Sequence, residues 1–575
     1  MLRTVLSGPL LIAGAISQNA AAQGPDAPTT TLHADARSVV VDVVVTGKDG
    51  KAIVGLSQQD FQVSEDGKPQ TITFFEPHPA PAGGAAQAGP KSPLSANTFT
   101  NIPVGPPADS VNILLLDALN TTTADQVLVR KEIGKYLAEM APGTSIAVFV
   151  LSDRLRMVQG FAQDSATLRE TVAREIAKPE LTTMPQSQSA PGKHAASARG
   201  PQFEANYRTA TTLEALGQLA RCLAGIPGRK NLLWFASYNP LLLSASSSGP
   251  GSDAGTSTTN PTGDSPYYER SRKAVSALAD AQVSVYPIEA SGVEADSLTD
   301  ASTVPTDYQN RSPISYETAT LREGAKDRNI LHLTMDQLAR DTGGKATYSR
   351  NGLKEAIAED IDNGSRYYTL AYTPTNRSEG GKERKIEVKI VSAKYNLAYR
   401  RSYFEDNPGE TRAENADRGK DPLHSLMGRG MPDFTELRYR THIVPANPQP
   451  AAGAPRAGEN STLKPPLTRY GVDFTLSTGG LSLVAEPDGV RQGKIEVAMV
   501  AYSRDGRPLN WMVRLVALVI RPNQYAMAQG SGIPFHLDID VPPGEIYLRS
   551  GVYDTASGKA GTLEIPLNAI QSVEN

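Results

Sequence analysis

Asp60, Glu65 and Asp66 place three carboxylates in one short stretch, Asp60-Phe61-x-Val63-x-Glu65-Asp66-Gly67-Lys68-Pro69-Gln70. Such a group could hold Ca²⁺ at an interface. Asp-Gly between alternating apolar residues is, however, first of all a hairpin signal. Gly228-Arg229-Lys230 offers either an anion contact or a tight turn with solvated charges. Cys222, the single cysteine, falls in a helical pattern and reads as a small buried apolar side chain. Asp117 closes the apolar run Val111–Leu116, where a carboxylate can cap the helix that follows. Asn120-Thr121-Thr122 matches a glycosylation triplet but lies where a buried-type strand ends. His33, His78, His194, His332, His424, His442 and His536 stand singly, none with a His or Cys at metal-ligand spacing. No GxxxxGK[ST], GxSxG, HExxH or CxxC pattern occurs. No nucleophile–base pair can be named, so a hydrolase with its site in the polar insertions is the weakest reading.

The elements around these residues follow from periodicity. Val39–Val45 is dense in β-branched residues and reads as a strand, with Asp42 arguing for one exposed face. Residues 33–77 form a β-rich unit, and 79–108 read as a linker. Val111–Leu116 is a nearly continuous apolar run of the buried parallel type, Ile146–Leu151 and Asn231–Phe235 read as further buried strands, and Val283–Ile288 as a strand. Helical patterns alternate with them, among them Val129, Ile133, Tyr136, Leu137 and Met140 on one face. The alternation over 109–361 predicts an α/β fold with a doubly wound, mostly parallel sheet. Its polar insertions (183–202, 243–265, 291–328) follow strands, where ligand crevices form. Residues 366–404 return to β and are expected to pack with 33–77. Residues 405–467 read as linker, and 468–575 as a β-sandwich of short strands.

The chain has 575 residues, enough for about three to five domains. Lys+Arg 57 against Asp+Glu 61 gives −4, which excludes a basic nucleic-acid footprint over the whole chain. A mean hydropathy of −0.32 excludes a polytopic membrane protein. One cysteine excludes an intramolecular disulfide. Arg3, the apolar run Val5–Ile16 and Ala20-x-Ala22 read as a secretory signal over 1–22. The run is too short and too broken by Gly8 and Pro9 to span a bilayer core of ~30 Å. The mature protein is therefore expected to be exported (periplasmic, cell-envelope or secreted), with no transmembrane span after signal cleavage.

Several motifs occur in a telling order: the Val-rich strand, the Phe61–Gln70 stretch, Leu114-Leu115-Leu116-Asp117 with Asn120-Thr121, Gly228-Arg229-Lys230-Asn231-Leu232-Leu233-Trp234-Phe235, Thr342-Gly343-Gly344, and Tyr367-Tyr368-x-Leu370-x-Tyr372. Over about 33–404 this resembles the exported VWFA-related (von Willebrand factor type A domain) proteins of the acidobacterial type. The resemblance implies a von Willebrand A-like domain over 109–361. It also implies a metal-ion-dependent adhesion site with the pattern D-x-S-x-S, at which Mg²⁺ meets carboxylate and hydroxyl oxygens and a partner's acid. Asp117 matches the first ligand position and Thr121 the third. Leu119 replaces the middle serine, and the strand Asn231–Phe235 runs on to Ser237 without the family's aspartate. Thr209, Thr211 and Thr212 are the counterparts available for the loop threonine. The implied site is thus degenerate, with Mg²⁺ on Asp117 and Thr121 as its cofactor. Its binding face is Asp117, Asn120, Thr121, Thr209, Thr211 and Ser237, and its occupant is an unknown protein partner. The function expected is a non-enzymatic adhesion-type module, with a structural envelope component assembling through its β domains as the alternative.

Overall fold

The computed structural model describes residues 38–79, 94–102, 110–176, 201–238, 240–241, 266–291, 313–348, 352–375, 382–391, 394–404, 423–446 and 455–571. The signal reading of 1–22 and the insertions at 183–200, 243–265 and 292–312 lie outside the described residues.

The chain is mixed α/β with several sheets, one of them mostly parallel. That sheet has the order Val283–Glu289, Arg229–Ala236, Ser110–Asp117, Ile146–Leu151 and Leu155–Ala162. The first four strands run parallel and the last is an antiparallel edge. Every residue of Arg229–Ala236 is buried, because helices cover both faces of the sheet. Leu114, Leu116, Val148, Val150, Leu233 and Phe235 pack against Thr123–Ala138, Ser165–Ile176 and Leu353–Gly364 on one face. The alternate residues Ile113, Leu115, Phe149 and Trp234 pack against Pro201–Leu223, Pro266–Asp280 and Pro313–Thr342 on the other. That two-residue alternation is the reason an unbroken apolar run fits here. Pro313–Thr342 begins inside the stretch read as polar insertion. Periodicity predicts its 332–341 part; before that, Ala, Leu, Glu, Lys and Arg content favours helix without an apolar stripe to announce it.

The chain on either side of this unit builds one β body. Val39–Thr46 pairs with Tyr367–Tyr372, and Phe61–Glu65 pairs with Glu383–Ile390. Their two four-stranded sheets share a core of Val41, Val43, Phe61, Val63, Leu370, Ile386 and Tyr399. Asp66 (φ 47°) and Gly67 (φ 78°) turn the hairpin that pairs Glu65 with Lys68. Asp42 corrects the expected exposed face. It is buried, accepts from Thr369 Oγ1 (2.8 Å) and Gln282 Nε2 (3.2 Å), and joins the β body to the central unit.

Two readings of linker are also corrected. Thr98–Thr100, inside 79–108, pairs with Tyr439–Pro445, inside 405–467. Both strands complete a C-terminal sheet with Thr468–Leu476 and Ile533–Val541. A second sheet holds Arg491–Ser503, Pro508–Ile520, Ile546–Asp554 and Ala560–Pro566, and the two sheets share one apolar core. The fully buried Arg549 pins the segment before Tyr439. Its guanidinium donates to the carbonyls of Leu426, Met431 and Pro432 and meets Asp433 Oδ1 at 3.3 Å. Sequence periodicity missed this segment because its buried apolar residues, Leu423, Met427, Phe434 and Leu437, have no strand or helix spacing, and distant groups such as Arg549 order it. The outer face of the second sheet (Ala498, Val500, Tyr553) lies on Leu423, Met427 and Phe434, and through them on the central unit.

Candidate functional site

The strand order reverses at Ser110–Asp117: the next strand lies on one side of it and Arg229–Ala236 on the other. The crevice of such a sheet opens at this point, beyond the carboxyl ends of the strands. Asp117 stands at that end and is buried.

Its carboxylate is saturated from within the protein. The Asn120 backbone N–H donates to Oδ1 at 2.9 Å. Asn120 Nδ2 donates to Oδ2 at 2.8 Å, and so does Trp234 Nε1 at 2.9 Å. Asn120 Nδ2 also reaches Thr212 Oγ1 at 2.9 Å, which ties helix Pro201–Leu223 to the same point. Asn120 O accepts from the backbone N–H of Ser237 (3.1 Å) and of Tyr238 (3.0 Å). Burial pushes the Asp117 carboxyl up to about 6, against the pull of the Asn120 and Trp234 donors. A cavity of about 20 Å³, room for roughly one water, lies beside it between Ala118, Gln126, Val129 and Phe235.

The expected site residues separate. Asp117 and Asn120 come together. Thr121 Oγ1 turns away and donates to Phe235 O at 3.4 Å. Thr209 Oγ1 donates to Ala205 O (2.9 Å) and Pro240 O (3.3 Å). Thr212, and not Thr209 or Thr211, meets Asn120. Ser237 Oγ donates to Asp125 Oδ2 at 2.6 Å, an oxygen that Thr122 Oγ1 also reaches at 2.8 Å. The cap of helix Thr123–Ala138 is Thr122, which accepts from Asp125 N–H, and not Asp117.

Both Asp117 oxygens face N–H donors, Thr121 faces a carbonyl, and position 119 is leucine. This donor set does not fit Mg²⁺, which needs unshared carboxylate and hydroxyl oxygens. Among the described residues no group of three or more His, Cys, Asp or Glu side chains is arranged to hold a metal ion. The acids near the hairpin are engaged as well. Asp60 accepts from Ser57, Glu65 from Tyr372 and Tyr403, and Asp66 from Arg384.

Trp234 is the partner that sequence reasoning missed. Leu115 and Trp234 are opposed in register. Asp117, two residues on, shares that face, so strand parity finds the pair once the register of the two strands is known. Burial pushes the Cys222 thiol up to about 12, which removes it as a nucleophile. His332 lies 3.3 Å from Glu289 Oε2 and stacks on Tyr348, with no serine or cysteine bonded to it among the described residues. Around the crevice, Tyr238 is 52% exposed and Val127 55%.

The sequence matches no family model and no curated protein. Several solved structures align with parts of the chain. A von Willebrand factor type A protein from Catenulispora acidiphila aligns at 10% identity and a TM-score of 0.22, over 55% of this chain and 74% of that one. An aerotolerance-related membrane protein from Bacteroides fragilis aligns at 12% identity and 0.23, over 44% and 98%. The pilus adhesin SpaC from Lactobacillus rhamnosus GG aligns at 9% identity and 0.27, over 90% and 59%. At these identities and TM-scores nothing about this chain's activity follows from them.

Proposed function

We propose that this chain is an exported, non-enzymatic binding module of adhesion type. In this reading its von Willebrand A-like unit meets a protein partner at the crest of the parallel sheet without using a metal. The saturated Asp117 carboxylate carries the reading. Three N–H donors occupy the place a cation would need, so the crest is held rigid from below by Asn120, Trp234 and Thr212. What remains for a partner is the rim: exposed Tyr238, next to Ser237 of the Thr122–Asp125–Ser237 cluster, and exposed Val127 on the first turns of helix Thr123–Ala138. Tyrosine is among the residue types enriched at interface hot spots, so Tyr238 is the anchor in this reading. Among the described residues no helix is long and apolar enough to cross a membrane. The two C-terminal sheets around one core are read as a sandwich that carries the module.

The test is capture from envelope extracts in EDTA, by the wild-type chain and by a Val127→Asp/Tyr238→Asp variant. One defined partner, retained in EDTA and lost with the variant, is expected. Capture that needs Mg²⁺, or that the variant keeps, would sink the reading.

A further inference from the structure

The strand Pro508–Ile520 has 13 residues and a sheet neighbour on one side only, Arg491–Ser503. In an antiparallel pair, alternate residues aim their N–H and C=O to opposite sides. Here the odd-numbered residues aim outward. Glu459 N–H donates to Trp511 O (2.7 Å), Asn460 Nδ2 donates to Leu509 O (2.6 Å), and Val513 N–H donates to Glu459 Oε1 (3.2 Å). That loop covers the edge only as far as Val513. Leu515, Ala517 and Val519 continue the alternation, and among the described residues no hydrogen bond reaches their backbone from the open side. Leu515 is 48% exposed and Val519 62%. No charged side chain interrupts the window between Arg514 and Arg521. Proteins ordinarily blunt such an edge with charges, proline or a bulge, and this one does not.

We propose that the window Leu515–Val519 pairs with the same window of a second copy of this chain, antiparallel about a two-fold axis at Ala517. This goes beyond the partner-binding reading and uses a different surface. The window is self-complementary: Leu515 opposes Val519 of the second copy, and Ala517 opposes its own counterpart. Each opposed pair exchanges two N–H···O bonds. Charge selects a second copy over a foreign strand. The same axis brings Arg521 of the second copy opposite Val513, where Glu459 sits. Among the described residues no ion pair engages Arg521, whereas Glu459 Oε1 accepts from Val513 N–H and pairs with the exposed Arg514 at 3.1 Å. The 455–460 loop closes the edge at Val513, and at that end the second copy's strand stops at Ile520 and passes into its own helix Pro522–Ser531.

Sedimentation equilibrium of the full chain across the micromolar range tests this. The wild type should show a reversible monomer–dimer equilibrium. Ala517→Pro removes only an outward N–H and leaves the ladder to Arg491–Ser503 intact, so it should give a folded monomer, as should Val519→Lys. Arg521→Glu should weaken the dimer up to about tenfold, since it sets like charges at two exposed sites. Adding Glu459→Lys should restore the affinity. A wild type that stays monomeric throughout, or a dimer indifferent to folded Ala517→Pro and Val519→Lys variants, overturns the proposal. A monomeric chain that instead binds a Leu-Val-Ala-Leu-Val peptide would assign the edge to a foreign strand and also overturn it.

Discussion

Replacing Asp117 by asparagine tests the crest most directly, because stability and pH respond together. A carboxamide presents one acceptor oxygen where the carboxylate presents two. At least one of three buried donors (Asn120 N–H, Asn120 Nδ2, Trp234 Nε1) is then left without an acceptor, at about 1–3 kcal/mol. The pH dependence is the sharper observable. The carboxyl ionises at about 6 in the fold and at 3.8 when solvated. Between those values the folded chain binds the extra proton, so stability from this group is fully present below pH 3.8 and is lost as pH rises through 6. The loss amounts to about 3 kcal/mol. The asparagine variant has no such term. The advantage of the wild type over Asp117→Asn should therefore be largest near pH 4 and shrink by about 3 kcal/mol near pH 7.5. The chain has two tryptophans, so a Trp511→Phe background isolates Trp234 as a fluorescent reporter for urea unfolding of the central unit. A gap that is flat across that range, or that widens with pH, refutes the claim that burial dominates at Asp117.

The remaining predictions concern what holds the domains together. Burial lowers the Lys230 ammonium to about 7 while Nζ donates to Ala281 O at 2.8 Å. The unfolded chain binds the extra proton above that pH, so stability from this group should rise by on the order of 4 kcal/mol from pH 7 to 10; urea melts of wild type and Lys230→Met should show that rise only in the wild type. Arg549→Ala strands Asp433 and three carbonyls, should cost about 3–5 kcal/mol, and should raise amide hydrogen exchange across 423–437 before other regions. A Cβ at Gly344 would lie 1.9 Å from Val285 O, so Gly344→Ala should abolish soluble expression, while alanine at the half-buried Gly134, where a Cβ meets nothing within 4 Å, should be silent in the same assay. Mg²⁺, Mn²⁺ and Ca²⁺ should leave the thermal midpoint unchanged relative to EDTA; a shift of the size expected for saturating ligand, roughly 2.7 kcal/mol at about 100 times Kd, would reinstate a metal site.

The central sheet was legible because its four parallel strands are dominated by apolar runs and its main helices carry a periodic face. Such patterns are local and survive without neighbours. The first part of helix Pro313–Thr342 and the strands Thr98–Thr100 and Tyr439–Pro445 were not legible. The helix reads from periodicity only over 332–341, where Met335, Leu338 and Ala339 are buried, and the two strands are ordered by partners far along the chain. Asp42 reads as an exposed position by alternation, yet a second domain covers it.

The candidate site divides in the same way. Sequence alone determined that Asp117 ends a buried strand, that Asn120 and Thr121 follow it, and that position 119 cannot ligate a cation. Only the tertiary structure decided what Asp117 does. Trp234 and Thr212 come from a neighbouring strand and a distant helix, and whether a carboxylate faces a cation, water or three N–H groups depends on which side chains meet it in space. Spacing along the chain places a functional group at a crevice; the packing of other elements against it decides its protonation, its free lone pairs and its chemistry.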